Sequence, residues 1–188
     1  MNNIKDIEAN HWAKNPKSSA ERYWNWLPGK HRCMWFIGQL KRVRPIKSIF
    51  EIGMNGGRNL HLIQKAFPGC TIGGLDISPK AIEFANDKGL KGNFYVMNAL
   101  DIQEIKETYD IIFSMGTMIH LVPALVPDML KETIKKAERF IYHIELCGNG
   151  SVMHGPKELE HSGKTRDKIL WQPDFKKMYA DIGYRANL

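Results

Sequence analysis

The chain has 188 residues, a length that suits one domain with a real core rather than two. Hydrophobic residues make up 43% and charged residues 25%, ordinary values for a globular protein, and no apolar run approaches the roughly 20 residues of a membrane helix. The net charge of +7 lies wholly in the first quarter, where residues 1 to 47 hold ten Lys or Arg against three acids, together with four of the five Trp.

Cys33, Cys70 and Cys147 are an odd, scattered set. They predict reduced thiols in a cytoplasmic protein and no metal site. Met1 to Asn10 is too polar for a secretory signal. The basic aromatic segment has two readings: a lid that attracts an anionic substrate, or a solvated face whose aromatics pack on the body.

Met1 to Lys17 is polar and predicts an irregular start. Ser18 or Ser19 is placed to cap a short helix from Ala20 to Trp26, with Pro28-Gly29 as its breaker. Lys30 to Val43 follows as a helix with Cys33, Met34, Phe36, Ile37 and Leu40 on one stripe, and Pro45 ends it. Ser48 to Leu60 then reads as strand, tight turn, helix. Ile49, Phe50 and Ile52 are strand formers, Gly53, Gly56 and Gly57 allow a sharp turn, and Leu60, Leu62, Ile63 and Ala66 recur at helical spacing. Such a turn exposes bare backbone to a ligand at a strand end.

Thr71 to Asp76 is a second strand that stops on an acid. Ser78 before Pro79 caps the next helix, Ala81 to Lys88, and Gly89 stops it. Asn93 to Met97 is a third strand and Asp110 to Met115 an apolar fourth, suited to the centre of a parallel sheet. A helix from Val126 to Ala137 leads to a fifth strand, Phe140 to Leu146. Alternation puts His143 and Glu145 on one face, with Glu145 near the carboxyl end and His143 deeper, as a satisfied core residue. Cys147 to Leu170 is a long polar connection carrying His154 and His161. Pro173 to Ala180 is a last helix, and Gly183-Tyr184 begins another strand.

The glycine turn does not fit the dinucleotide pattern Gly-x-Gly-x-x-Gly, and Glu51 before it would repel a pyrophosphate. Instead Glu51-x-Gly53-x-Asn55-x-Gly57-Arg58-Asn59-Leu60 resembles motif I of the class I S-adenosylmethionine-dependent methyltransferases. There Asn55 stands for the middle glycine, a mild departure because Asn tolerates positive φ. Leu75-Asp76-Ile77-Ser78-Pro79, the turn Asn98-Ala99-Leu100-Asp101 and the segment from Tyr109 to Leu121 are similar to the later motifs. The resemblance spans about Ile46 to Tyr184.

It implies an α/β fold, Rossmann-like and doubly wound, with a mainly parallel sheet that is shortened at the C-terminus because the usual seventh strand has no residues. Residues 1–188 form one domain, a helical lid at 1–45 and a core at 46–188. The cofactor implied is S-adenosyl-L-methionine, held by Glu51, Gly53, Met54, Asn55, Gly57, Asp76, Ile77, Asn98, Ala99 and Ser114. Asp76 takes the ribose hydroxyls, and Asn98 takes the adenine amine through its oxygen. His120 leads as a proton acceptor, with Glu145 and a loop histidine such as His154 behind it.

A narrower likeness is to the methylases associated with pseudaminic acid biosynthesis, carried by Gly53 to Leu60, Gly116 to Pro123 and Leu170-Trp171 before Asp174-Phe175. It points to an acidic sugar among small anionic acceptors. A cofactor-cleaving enzyme on the same fold is one alternative. A nucleic-acid-binding module is another, ranked lower because no RNP, KH or zinc motif is present. An uncovered sheet edge would favour self-association into a homo-oligomer.

Overall fold

The structure, a computed structural model, describes residues 12, 14, 17–148, 150, 152–154 and 170–186. Strands β1 (Ser48–Ile52), β2 (Thr71–Asp76), β3 (Asn93–Val96), β4 (Tyr109–Met115) and β5 (Ala137–Ile144) form one parallel sheet in the order β3-β2-β1-β4-β5. Helices α1 (Lys17–Asn25), α2 (Leu27–Leu40), α3 (Arg58–Ala66), α4 (Pro79–Asp87), α5 (Val126–Lys136) and α6 (Phe175–Asp181) flank it. The order reverses between β1 and β4, and that switch point opens a crevice beyond the carboxyl ends of the strands.

Alternation along β1 explains the two-sided core. Ile49 faces a cluster with Phe36, Leu40, Leu60 and Phe113, whereas Phe50 and Ile52 face Leu75, Ile112, Leu130 and Phe175. Glu51 therefore points to the Ile49 side, towards α2 and α3. The register aligns the strand ends, with Ile52 opposite both Leu75 and Ser114.

Several boundaries differ from expectation. Pro28-Gly29 does not break a helix: α1 ends at Asn25, and Pro28 sits in the first turn of α2, where its missing N–H costs nothing. Ser19 lies within α1, not at its cap. Cys33, Phe36, Ile37 and Leu40 are buried as the stripe predicts, but Met34 is exposed. Thus α2 is a layer of the body. Strand β5 begins at Ala137 and ends at Ile144, and residues 183–186 form no strand; the Tyr184 N–H instead bonds the Tyr179 carbonyl and closes α6.

A short antiparallel pair, β6 (Val152–His154) with β7 (Leu170–Trp171), lies apart from the main sheet. His154 enters only through the backbone of β6, and His161 lies outside the described residues, as does most of the expected irregular start from Met1 to Lys17, whose last residue, Lys17, is helical and begins α1. Among the described residues β5 is an outer strand of the main sheet, and no helix is long and apolar enough to cross a membrane.

Candidate active site

The crevice is a cavity of about 310 Å³ bounded by the ends of β1, β2 and β4 and roofed by the N-terminal helices. Its floor is the turn between β1 and α3. Gly53 and Gly57 have φ of 74° and Asn55 has 49°, so Asn does adopt the left-handed conformation there. The Gly53 and Met54 N–H groups both donate to the Leu75 carbonyl at 2.9 Å, which folds the turn back over β2. A Cβ on Gly53 would stand 2.2 Å from Thr117 Oγ1, so the residue must be glycine for β1 and the turn after β4 to approach.

Glu51 is almost fully buried and lines the cavity. Its Oε1 accepts from Asn59 Nδ2 at 2.6 Å, while Oε2 has no hydrogen-bond partner among the described residues. Burial pushes this carboxyl up to about 8, against smaller opposing effects from Asn59 and the Arg58 guanidinium. Asn59 is fixed in turn by Arg58, whose Nε and Nη2 donate to its Oδ1 at 3.1 and 2.9 Å. Neither Arg58 nor Asn59 was singled out as a site residue by the sequence reading, although both lie inside the motif it used.

Asp76 ends β2 and spans two turns. Its Oδ2 accepts from the Asn55 N–H at 2.8 Å and its Oδ1 from the Ser78 N–H at 2.9 Å. Burial raises its pKa, and those two N–H groups oppose the rise. Each oxygen keeps a lone pair for a ligand. Ser78 caps α4 as expected, accepting from Ala81 N at 3.4 Å. Ile77, Asn98 and Ala99 continue the wall. The Asn98 Oδ1 accepts from the Leu100 N–H at 3.0 Å, so its amide NH2 and one remaining lone pair are what it can offer.

Residues 49–138 match the family described as a methyltransferase domain. That stretch, just under half of the chain, is a methyltransferase domain, and it sits on a five-stranded sheet like that of the class I methyltransferases. The magnesium protoporphyrin IX methyltransferase ChlM from Synechocystis PCC 6803 with bound SAH is similar in fold, with a TM-score of 0.69 at 16% identity over 96% of this chain and 89% of that one. With bound SAM the same enzyme gives 0.59 at 15% over 92% and 99%. The sugar N-methyltransferase KedS8 from Streptoalloteichus gives 0.53 at 15% over 65% of this chain and 54% of that one, so the chain spans about half its length. No curated protein matches the chain. The cofactor expected from the sequence, S-adenosyl-L-methionine, is the ligand of the ChlM neighbour, as SAM in one structure and as SAH in the other.

The remaining expected site residues of the methyltransferase divide. His120 ends a 3₁₀ turn, Met118–His120, and lines the cavity with its ring 4.8 Å from that of Trp12. Gly57 is not on the cavity wall: it starts α3 in the left-handed conformation, and its neighbour Gly56 lines the cavity instead. Ser114 is also off the wall. It pairs in register with His143, on the sheet face away from Glu51, and its fully buried hydroxyl meets His143 Nδ1 at 2.9 Å.

Glu145 likewise lies behind the cavity, not in it. Its Oε1 accepts from the Thr117 N–H at 3.0 Å and holds the turn that carries His120, while Oε2 is buried without a partner among the described residues. Burial raises its pKa, against hydrogen bonds from Thr117, Ser114 and Met118. His143 is the core residue expected. Nε2 meets the Tyr179 hydroxyl at 2.9 Å, its ring stacks on Phe175 at 4.4 Å, and burial pushes it down to about 3, so it is neutral. Trp171 Nε1 donates to the Met118 carbonyl at 2.8 Å and pins the same turn from the other side.

Proposed function

We propose that the protein transfers the S-methyl group of S-adenosyl-L-methionine to a small anionic acceptor, with an acidic sugar as one substrate class. The observation that carries the reading is the buried Glu51 carboxyl, whose Oε2 has no hydrogen-bond partner among the described residues, in a cavity floored by a glycine turn and flanked by Asp76. A cofactor with a free ammonium and a ribose diol satisfies both acids, and a pyrophosphate satisfies neither. When bound, the cofactor supplies an activated methyl group on a sulfonium sulfur.

The chain's own work is alignment and exclusion of water. Glu51 holds the amino end, Asp76 the ribose, and the Asn98-Ala99 turn the adenine. Gly53, Met54, Asn55 and Ile77 shape the trough between them. At the roof, Trp12, Tyr23 and Trp26 cover the cavity. The Arg32 guanidinium lies 5.0 Å from the Trp26 ring centroid, with no carboxylate ion-paired to it among the described residues. That cation supports an anionic acceptor. His120, on the wall beside Trp12, takes the proton where the acceptor is protonated at working pH. Glu145 acts through the backbone of Thr117 and Met118, keeping His120 in place.

The test is product analysis. The protein with S-adenosylmethionine and a panel of acidic sugars, each paired with its neutral analogue, should yield S-adenosylhomocysteine only when an acidic acceptor is present. Formation of 5′-methylthioadenosine or adenosine without any acceptor would replace transfer by cofactor cleavage. Equal use of neutral analogues would remove the anionic class.

A further inference from the structure

Half of the large apolar side chains left exposed among the described residues lie between Tyr23 and Trp35, on or beside α2. That helix has two apolar faces. Gly29, Cys33, Phe36, Ile37 and Leu40 are buried against the body, and the opposite stripe, at helical spacing, holds Leu27, His31, Met34, Trp35 and Gly38, with Arg42 just past the helix end. On that stripe Leu27 is 62% exposed, Met34 55% and Trp35 60%. The outer face of a surface helix is ordinarily polar, so Leu, Met and Trp turned outward together call for a partner. None of the three lines the cavity or belongs to either core cluster. Neither sequence reading of the segment therefore accounts for them, because they neither roof the cavity nor pack on the body.

The charge around the stripe selects the partner. Residues 18–47 carry seven Lys or Arg against one acid, Glu21, and α2 itself contains no acid. By helical position Lys30 and Lys41 border the stripe on one side and Arg32 on the other. Lys30, Lys41 and Arg42 have no carboxylate ion-paired to them among the described residues. An apolar strip with a cationic rim matches an anionic lipid surface, where Leu, Met and Trp enter the headgroup boundary and Lys and Arg meet the phosphates. A second copy of the chain would bring two cationic rims together. A nucleic acid would use the charge and the indole, but Leu27 and Met34 offer no ring on which a base can stack.

We infer that the outer face of α2 is a peripheral docking surface for an anionic membrane. The contact lies on the surface and does not span it; among the described residues no helix is long and apolar enough to cross. Leu27, Met34 and Trp35 supply the apolar area, and Lys30, Lys41 and Arg42 the attraction. Trp26, immediately before α2, and Arg32 both line the cavity, so docking sets the cavity roof at the lipid boundary.

The experiment is flotation of the full chain with two kinds of vesicle, phosphatidylcholine alone and phosphatidylcholine with about one third phosphatidylserine. The protein should float with the anionic vesicles at least about tenfold more strongly than with the neutral ones, and high salt should release it. Met34→Gln and Trp35→Gln should each weaken the binding about tenfold, the loss of one apolar side chain from the boundary. Lys41→Gln and Arg42→Gln should each weaken it about fivefold, the share of one cation near a charged bilayer. Lys176→Gln on α6, on the other face of the sheet, should leave it unchanged, and all five variants should keep the native melting temperature because the replaced side chains are exposed.

No flotation with anionic vesicles, or equal flotation with neutral ones, would overturn the inference. Binding that survives both Met34→Gln and Trp35→Gln would do so too, as would an equal loss in Lys176→Gln, which would reduce the effect to net charge. Salt-sensitive binding of a single-stranded oligonucleotide without vesicle binding would assign the face to nucleic acid instead. A dimer in sedimentation that Trp35→Gln dissociates, again without vesicle binding, would assign it to a second copy.

Discussion

Replacing Glu51 with Gln isolates the charge at the centre of the site. The amide keeps an acceptor for Asn59 Nδ2 and nearly the same volume, so the change removes the ionisation and little else. Burial pushes the carboxyl up to about 8 from an ordinary 4.5. The groups facing it are Asn59 and Arg58 from α3, Cys33 from α2 and Asp76 from the end of β2. An acid with a raised folded-state pKa binds more protons folded than unfolded. Its contribution to stability is complete below pH 4.5 and is lost as pH rises through 8. At about 1.4 kcal/mol per pH unit, that window is worth roughly 4 to 5 kcal/mol before solvent relaxation reduces it.

Denaturant unfolding of the cofactor-free protein between pH 6.5 and 8, above the range in which His143 titrates, should therefore show stability falling with pH, and Glu51→Gln should flatten that slope. Binding of S-adenosylhomocysteine near pH 7 should release up to one proton from the native protein, read as a difference in calorimetric heat between two buffers. The deprotonation itself costs about 1.4 kcal/mol at pH 7. The variant should release none and bind about 10- to 100-fold more weakly, the loss of a hydrogen bond to a charged group. Unchanged affinity in Glu51→Gln, or a native stability that does not fall over this pH range, would refute the reasoning.

Asp76→Ala should weaken cofactor binding by about 1 to 3 kcal/mol; because Asp76 also accepts from Asn55 and Ser78, the melting temperature should fall too, and Asp76→Asn should recover part of both. Gly53→Ala forces a Cβ against Thr117 at a φ of 74° and should cost about 1 to 3 kcal/mol of stability. Adding Thr117→Gly should recover only the steric share, as denaturant midpoints of the single and double variants would show. His143, pushed down to about 3 by burial, contributes stability that is complete above pH 6.5 and lost as pH falls through 6.5 towards 3. His143→Leu should remove that acid limb while lowering stability at pH 7, since the Ser114 and Tyr179 hydroxyls lose a partner.

Much of the crevice wall was legible because local chemistry and topology agree there. A strand-ending acid, a glycine turn and a second strand-ending acid define the switch point without long-range knowledge. The hydrogen-bonded chain from Arg58 through Asn59 to Glu51 was not legible, because Asn59 reaches Glu51 only when the turn doubles back, bringing residues eight apart to 2.6 Å. Pro28 misled because a proline reads equally as a stop or a first-turn residue until the flanking helices are seen. Ala137 to Arg139 continues a polar helical run in sequence, yet parallel pairing with β4 draws it into β5. Ser114 and Glu145 were misplaced for one reason: register with His143 sets their side chains behind the turn that carries His120, and register is a property of two strands.

The most direct test of the account is a crystal structure of the protein with S-adenosylhomocysteine. It should show the ligand's ammonium within about 3 Å of Glu51 Oε2 and both ribose hydroxyls on Asp76. A ligand lying with its amino-acid end away from Glu51, or bound outside the crevice between β1, β2 and β4, would contradict it.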